Sequence, residues 1–391
     1  MPRQRLMLHH AVFSNLGRRV GDRRDATCDR YTLLDSETQL PGVAERFYGI
    51  GEERLPLALP PGYGYPVKGE DQWLMTWMVM NHQPKKDRAY IEYTVTYDTA
   101  PDLQPVKPVW MDVANCSVDP VYDVPGGGRR GSTHSRSASW TVPWSGRLVG
   151  GAGHVHGGAR NVSLSQPGCA NRELFRSKPL WGSPRHPVYR LRPVLHEPGP
   201  LRMSGFMSSQ GFPVSAGQQL QITSRYDNEL PHTRVMGIMM LYLAPDQGVA
   251  PGCGAPPADL QTYAAPPERR SKPPRMRVPL TGIGPDGRAR DIRRPPGRTQ
   301  SRRSGSTVSV LDFLFRPFNV SVRRGSTLRW RFPTEILHNV TLANGPRGFS
   351  SPNLNRGRVF QKKFEKPGTY SLFCTLHPTL MTGTVKVGRK R

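Results

Sequence analysis

Proline and glycine punctuate this chain from end to end, 40 of each among 391 residues, about one position in five. Long helices do not survive that density. Proline removes an amide donor and collides with the preceding turn, and glycine costs backbone entropy. What can form between such breaks is short strands. Residues 88–98 alternate Ala89, Ile91, Tyr93, Val95 and Tyr97 with Glu92, Thr94 and Thr96, the period of a half-buried strand. Leu220 and Ile222 alternate with polar neighbours ahead of Tyr226. Residues 235–243 form an apolar run of strand length, and Leu328, Trp330 and Phe332 are interleaved with Arg329 and Arg331. No long stretch has a helical period, and no apolar run approaches the ~18 residues of a membrane-spanning helix. The expectation is an all-β chain of sandwich domains.

Composition also marks boundaries. From 246 to 306 the chain is mostly proline, glycine and arginine with little to bury, and it reads as a disordered linker with a short ordered piece near 278–283. It separates a carboxyl-terminal domain, 307–391, from two β domains, 1–104 and 105–245. The formal net charge is +26. Its densest run falls inside the linker, and no zinc-finger spacing, RNA-binding aromatic signature or basic helix accompanies it. The charge therefore predicts a solvated tether, not specific nucleic-acid binding. No phosphate-binding glycine loop and no nucleophile elbow occurs, which removes nucleotide hydrolysis and serine-hydrolase chemistry from consideration.

Chemistry concentrates in histidine, cysteine and methionine. Near the carboxyl end, His338 in "ILHNVTL" is followed by "YSLFCTLHPTLMTGTVKV", which carries Cys374, His377 and Met381 in a C-x2-H-x3-M spacing. A soft thiolate, two imidazoles and a weak thioether suit an ion that cycles between Cu(I) and Cu(II). A cysteine ending one strand, with a short loop into the next, brings three of these donors to one point, and the distant histidine must come from a neighbouring strand. Zinc is the lesser fit, because methionine is a poor zinc ligand. The other four cysteines, Cys28, Cys116, Cys169 and Cys253, are even in number and compatible with two disulfides, which favours an extracellular or periplasmic location. Met1–Arg5 is basic, but His9 and His10 interrupt the apolar stretch a signal peptide would need, so the true start is expected further upstream.

These residues resemble the cupredoxins, the plastocyanin, pseudoazurin and amicyanin group, across about 307–387. The resemblance rests on the "PGTY" approach to Cys374, the His338–Asn339 pair and the "HP" loop ending at Met381. It implies a Greek-key β-sandwich holding one type 1 copper on His338, Cys374, His377 and Met381, and one-electron transfer with a redox partner.

A second set lies upstream: His9 and His10, then His82, then His154 and His156 as H-x-H, then Met236 in "HTRVMGIMMLYL". On a strand His154 and His156 point the same way, whereas His9 and His10 need a bulge or a strand end to converge. The series resembles the copper type II, ascorbate-dependent monooxygenases and their relatives of the stress-up-regulated nodulin type, over about 5–245. The resemblance implies two jelly-roll-like domains, each with one copper, across a solvent cleft. His9, His10 and His82 would bind the electron-donating copper, and His154, His156 and Met236 the copper that activates dioxygen, with ascorbate as a reductant. The peptide-amidating member has an arginine where this chain has Ala152, and Asn and Tyr where it has Ile238 and Met240, so a glycine-extended peptide is not the expected substrate. The family also has strands ahead of its histidine pair, which implies a truncated first domain or a degraded first site. His134, His186, His196 and His232 read as loop residues.

Three classes of function follow: an oxygen-dependent oxidoreductase fed by its own cupredoxin, a non-enzymatic copper electron-transfer protein, and an extracellular adhesive protein that uses its positive charge.

Overall fold

A computed structural model describes residues 6–28, 44–54, 58–82, 85–116 and 120–389. The basic leader at 1–5 lies outside them. Among the described residues the chain is all β, interrupted by two short 3-10 turns, Pro187–Arg190 and Glu268–Arg270. Among the described residues no helix is long and apolar enough to cross a membrane.

The first module is a three-stranded antiparallel sheet, with Leu6–Gly17 between Glu45–Gly51 and Gln72–Asn81. Met7, Ala11 and Phe13 of its central strand are buried. Residues 88–98 are not a strand, which corrects the reading from their alternation, and Tyr90, Tyr93, Val95 and Tyr97 are exposed. Alternation marks a surface that can be half-buried; no described strand pairs with this segment, and the pattern stays unused.

The middle module is a two-sheet sandwich. One sheet runs Gln261–Tyr263, Gly205–Val214, Gly146–Val155, Gly237–Pro245, Lys107–Asp112, and the other runs Arg172–Ser177, Ala159–Gln166, Gln219–Asp227, Thr133–Thr141. Leu148, Leu164, Phe206, Leu220, Ile222 and Leu241 fill the space between them. Gly237–Pro245 is buried at every position but its last, the reason its sequence is an unbroken apolar run. Met239, Leu241 and Leu243 face the sandwich core, while Ile238, Met240 and Tyr242 pack with Trp110 against Val12 of the first module. The Tyr242 hydroxyl donates to the Phe47 carbonyl at 2.7 Å across that contact.

The carboxyl-terminal module is a second sandwich. Its five-stranded sheet is Gln300–Ser301, Asn319–Arg323, Thr382–Gly388, Gly368–Phe373, Thr341–Asn344, and its four-stranded sheet is Leu314–Arg316, Thr307–Leu311, Thr327–Arg331, Val359–Lys363. Leu328 and Trp330 are buried as their alternation with arginines predicts.

Residues 246–306 are not a free tether. Cys253 bonds to Cys169, and Cys28 bonds to Cys116. Gln261–Tyr263 adds an edge strand to the middle sandwich. Leu280–Ile283 and Ala289–Ile292 form a hairpin whose Thr281 hydroxyl donates to the Val194 carbonyl at 3.1 Å. The Asn319 amide bonds the carbonyls of Pro295, Pro296 and Gly297. The segment is a strap laid over both sandwiches, held by a few anchors in place of a core.

Candidate metal centres

In the carboxyl-terminal sandwich, Gly368–Phe373 delivers Cys374 at its end, and the loop closes on itself before Thr382–Gly388 begins. Cys374 N donates to the Met381 carbonyl at 3.0 Å, and Met381 N donates to the His377 carbonyl at 2.9 Å. His338 comes from the segment preceding Thr341–Asn344, fixed by paired backbone bonds to Leu354 at 2.9 and 2.8 Å. Its Nδ1 faces His377 Nδ1 at 3.1 Å, and Cys374 Sγ lies 3.7 Å from the same His377 atom. The ligand atoms of His338, Cys374 and His377 all fall within 4.8 Å of one another. Cys374, His338 and Met381 are wholly buried, and the Phe313 ring stands edge-on to His377 at 4.9 Å.

Asn339 ties the loops together. Its backbone N–H points at Cys374 Sγ at 3.4 Å, and its side chain reaches Asn353 and Thr375 at 2.9 and 2.7 Å. Burial raises the Cys374 thiol above its ordinary value and lowers both imidazoles, so protons do not bind well to the imidazoles here. Two imidazoles held neutral, with their Nδ1 atoms turned toward each other beside a buried sulfur, are the donor set of a soft, redox-active ion, and they fit copper.

A protein-family model for copper-binding proteins of the plastocyanin/azurin type matches residues 305–388. Amicyanin-alpha of Methylorubrum extorquens is 34% identical over 92 residues, which cover 22% of this chain and 76% of the relative. The chain belongs to the plastocyanin/azurin family of copper-binding proteins through its carboxyl-terminal domain. Solved structures of amicyanin variants are also similar. One in a reduced Cu(I) form is 25% identical over 22% of this chain and 82% of its own, with a TM-score of 0.20. A second reduced variant is 24% identical over 22% and 83%, with a TM-score of 0.21. The family-model match and the identity to amicyanin-alpha bear out the cupredoxin expectation for this domain, and copper binding and electron transfer are its properties.

The upstream histidines converge, but not in the groups expected. The register between Leu6–Gly17 and its neighbour slips between Leu8 and His10, a bulge that leaves His9 unpaired. Both imidazoles therefore turn to one side, with their Nδ1 atoms 2.9 Å apart. His154 is the penultimate residue of Gly146–Val155 and His156 follows the strand, their rings 5.2 Å apart. The expected cleft does not separate the two sets, since the His9 ring is 5.6 Å from the His156 ring. Met236 sits between His232–Val235 and Gly237–Pro245, its carbonyl accepting the Tyr226 hydroxyl at 2.5 Å. Met236, His9, His10, His154 and His156 line one cavity of about 480 Å³.

His82 does not join His9 and His10. Its Nδ1 meets the Pro193 carbonyl at 3.2 Å, and it lines a separate small pocket. His196 takes the neighbouring place instead, its ring 5.0 Å from His9 and its Nε2 on Glu52 Oε1. Glu52 and Glu53, in the turn after Glu45–Gly51, serve different histidines. Glu53 accepts from His154 Nδ1 at 3.0 Å and from Gly51 N at 2.9 Å. Gly51 must be glycine, because a Cβ there would lie 2.5 Å from both the Glu53 carboxylate and the His154 ring.

Burial alone would lower His154, yet Glu53 holds it above its ordinary value. Burial would raise the Glu52 carboxyl, yet His196 holds it down at about 2. Burial, reinforced by His154, lowers His10 to about 4. Sequence reasoning missed His196, Glu52 and Glu53. "GEER" carries no spacing signature, and a lone histidine in a proline-rich loop looks like surface.

Proposed function

We propose that this protein is a copper redox enzyme: a type 1 cupredoxin site on His338, Cys374, His377 and Met381 passes electrons to a monooxygenase-like copper site on His154, His156 and Met236. One observation carries the reading. Thr375 and Leu376, which follow Cys374 directly, line the same cavity as His154, His156 and Met236. Copper, when bound, supplies one-electron exchange between its two oxidation states.

The chain's own residues prepare that exchange. His154 donates Nδ1–H to Glu53 at 3.0 Å, and His156 donates Nδ1–H to the Arg234 carbonyl at 3.0 Å. A carbonyl only accepts, so neutral His156 presents Nε2 as a bare lone pair, and that atom is buried without a partner. Holding the second ring nitrogen this way is how proteins orient a ligating imidazole. The Met236 thioether biases such a site toward Cu(I). Ala152, Ile238 and Met240 give the cavity an apolar wall, which favours an apolar C–H substrate over one carrying a carboxylate. Overall, one oxygen atom of O2 enters a C–H bond and the other leaves as water, with two electrons from a reductant such as ascorbate or a protein partner. The two disulfides favour an oxidising compartment, extracellular or periplasmic.

The test is copper analysis, visible and EPR spectra, and O2 uptake with ascorbate. Cys374→Ser should abolish the blue band, and His154→Ala should abolish O2 uptake while keeping the band. A blue protein that never consumes O2 beyond free copper would reduce the reading to electron transfer alone.

A further inference from the structure

We propose that His9, Glu52 and His196 hold a divalent transition-metal ion of their own, through two imidazole nitrogens and one carboxylate oxygen. The three ligand atoms lie within 4.8 Å of one another. They arrive from a bulge in Leu6–Gly17, the turn after Glu45–Gly51 and the loop that follows Pro187–Arg190.

Their orientation is built. Gly199 N donates to Glu52 Oε2 at 2.8 Å, which turns Oε1 toward both rings. His196 Nε2 meets that oxygen, and His9 Nε2 stops 3.8 Å from it, beyond hydrogen-bond reach. Two imidazoles thus converge on one carboxylate oxygen that an ordinary ion pair would share with only one of them. A single cation at the meeting point satisfies all three donors at once.

The donor set selects the class of ion. Two imidazoles and a carboxylate leave coordination positions open and suit Fe(II), Zn(II) or Cu(II). No sulfur is present to favour Cu(I), unlike the sites of Cys374 and Met236. The inference does not depend on the oxygenase reading, because its test counts ions and that reading is tested by O2 uptake.

Cu(II) is the probe, since it binds nitrogen and oxygen donors most tightly among the divalent first-row ions. The full chain is loaded with Cu(II), freed of excess, and assayed for copper per protein and for EPR. Glu52→Gln and His196→Gln should each lose one non-blue copper and keep the blue one, with affinity at that site at least ~10-fold weaker. His82→Ala should lose none, and Glu52→Gln with His154→Ala should lose two. If Glu52→Gln, His154→Ala and the double variant each lose the same one copper, the residues serve one common ion and the separate site is refuted; if His154→Ala alone loses none, the oxygenase reading fails and this one stands on the Glu52 and His196 variants. Unchanged copper in both single variants would leave an ion pair only. Anomalous diffraction from copper-loaded crystals of the unmutated chain decides the matter even where a variant fails to fold. A peak is expected about 2.0–2.2 Å from all three side chains, and a loaded crystal without one overturns the proposal.

Discussion

His232 shows how one side chain in this protein couples folding to pH. It is buried, and its Nδ1 lies 2.7 Å from Glu197. Burial would lower the imidazole, but Glu197, with Asp227, overrides it and raises it above its ordinary value. The folded state therefore favours the protonated ring. Its contribution to stability is full below about pH 6.5, the unfolded value, and is lost as pH rises through the higher native value. His232→Gln should flatten that part of the profile: urea midpoints of the two proteins, compared from about pH 5.5 to 8.5, should differ most at the acid end. A constant difference would show that the pair contributes nothing pH-dependent. The residue looked like a loop histidine because "ELPHTRV" has no period; what made it buried is Glu197, which reaches it from a loop 35 positions away. Cys374 and His377 were legible for the opposite reason, since the donors sit together in one loop and the spacing is the geometry.

Among elements, the bulge at His9 and the strap at 246–306 do what regular structure would not. A regular strand would send His9 and His10 to opposite faces; one extra residue turns them together. The need for that bulge was readable from the adjacent pair, but its presence was not, because it depends on the register with Gln72–Asn81. The strap is held by Cys169–Cys253, a closure of 84 residues. Replacing both cysteines with serine should lower stability by about 2–5 kcal/mol, measured as the chemical-denaturation free energy of the oxidised wild type against the variant. Proteolysis in the variant should begin within 246–306. Arginine and proline here spoke of solvent correctly, and many of these positions are exposed. Two anchors left a trace, Thr281 in the ordered piece expected near 278–283 and Cys253 among the paired cysteines, but what each attaches to, Val194 and Cys169, is set by packing far along the chain.

Across the molecule, the cupredoxin is docked by a polar seam. Asp123 of the middle sandwich accepts from Ser350 N at 2.7 Å and Ser350 Oγ at 2.9 Å, and also from Arg234 N at 3.0 Å. Gly348 N donates to the Pro125 carbonyl at 2.9 Å, and Thr233 Oγ1 donates to the Leu342 carbonyl at 2.9 Å. Gly348 is required at the seam, where a Cβ would meet the Val124 carbonyl oxygen at 2.7 Å. Asp123→Ala should weaken docking by about 1.5–3 kcal/mol. Calorimetry should then show the cupredoxin unfolding apart from the rest, and its reduced form should pass electrons onward more slowly. A single unchanged transition would assign the docking to other contacts. By itself the sequence determined that the chain is β and that its last domain has a copper-binding character. Those properties depend on local period, composition and spacing along a short loop. Only the tertiary structure decided that His196 and Glu52 stand beside His9, that His82 stands apart, and that the cupredoxin loop opens onto the histidine cavity. These are contacts between residues far apart in the chain, set by how whole sheets pack, and no neighbouring residue encodes them.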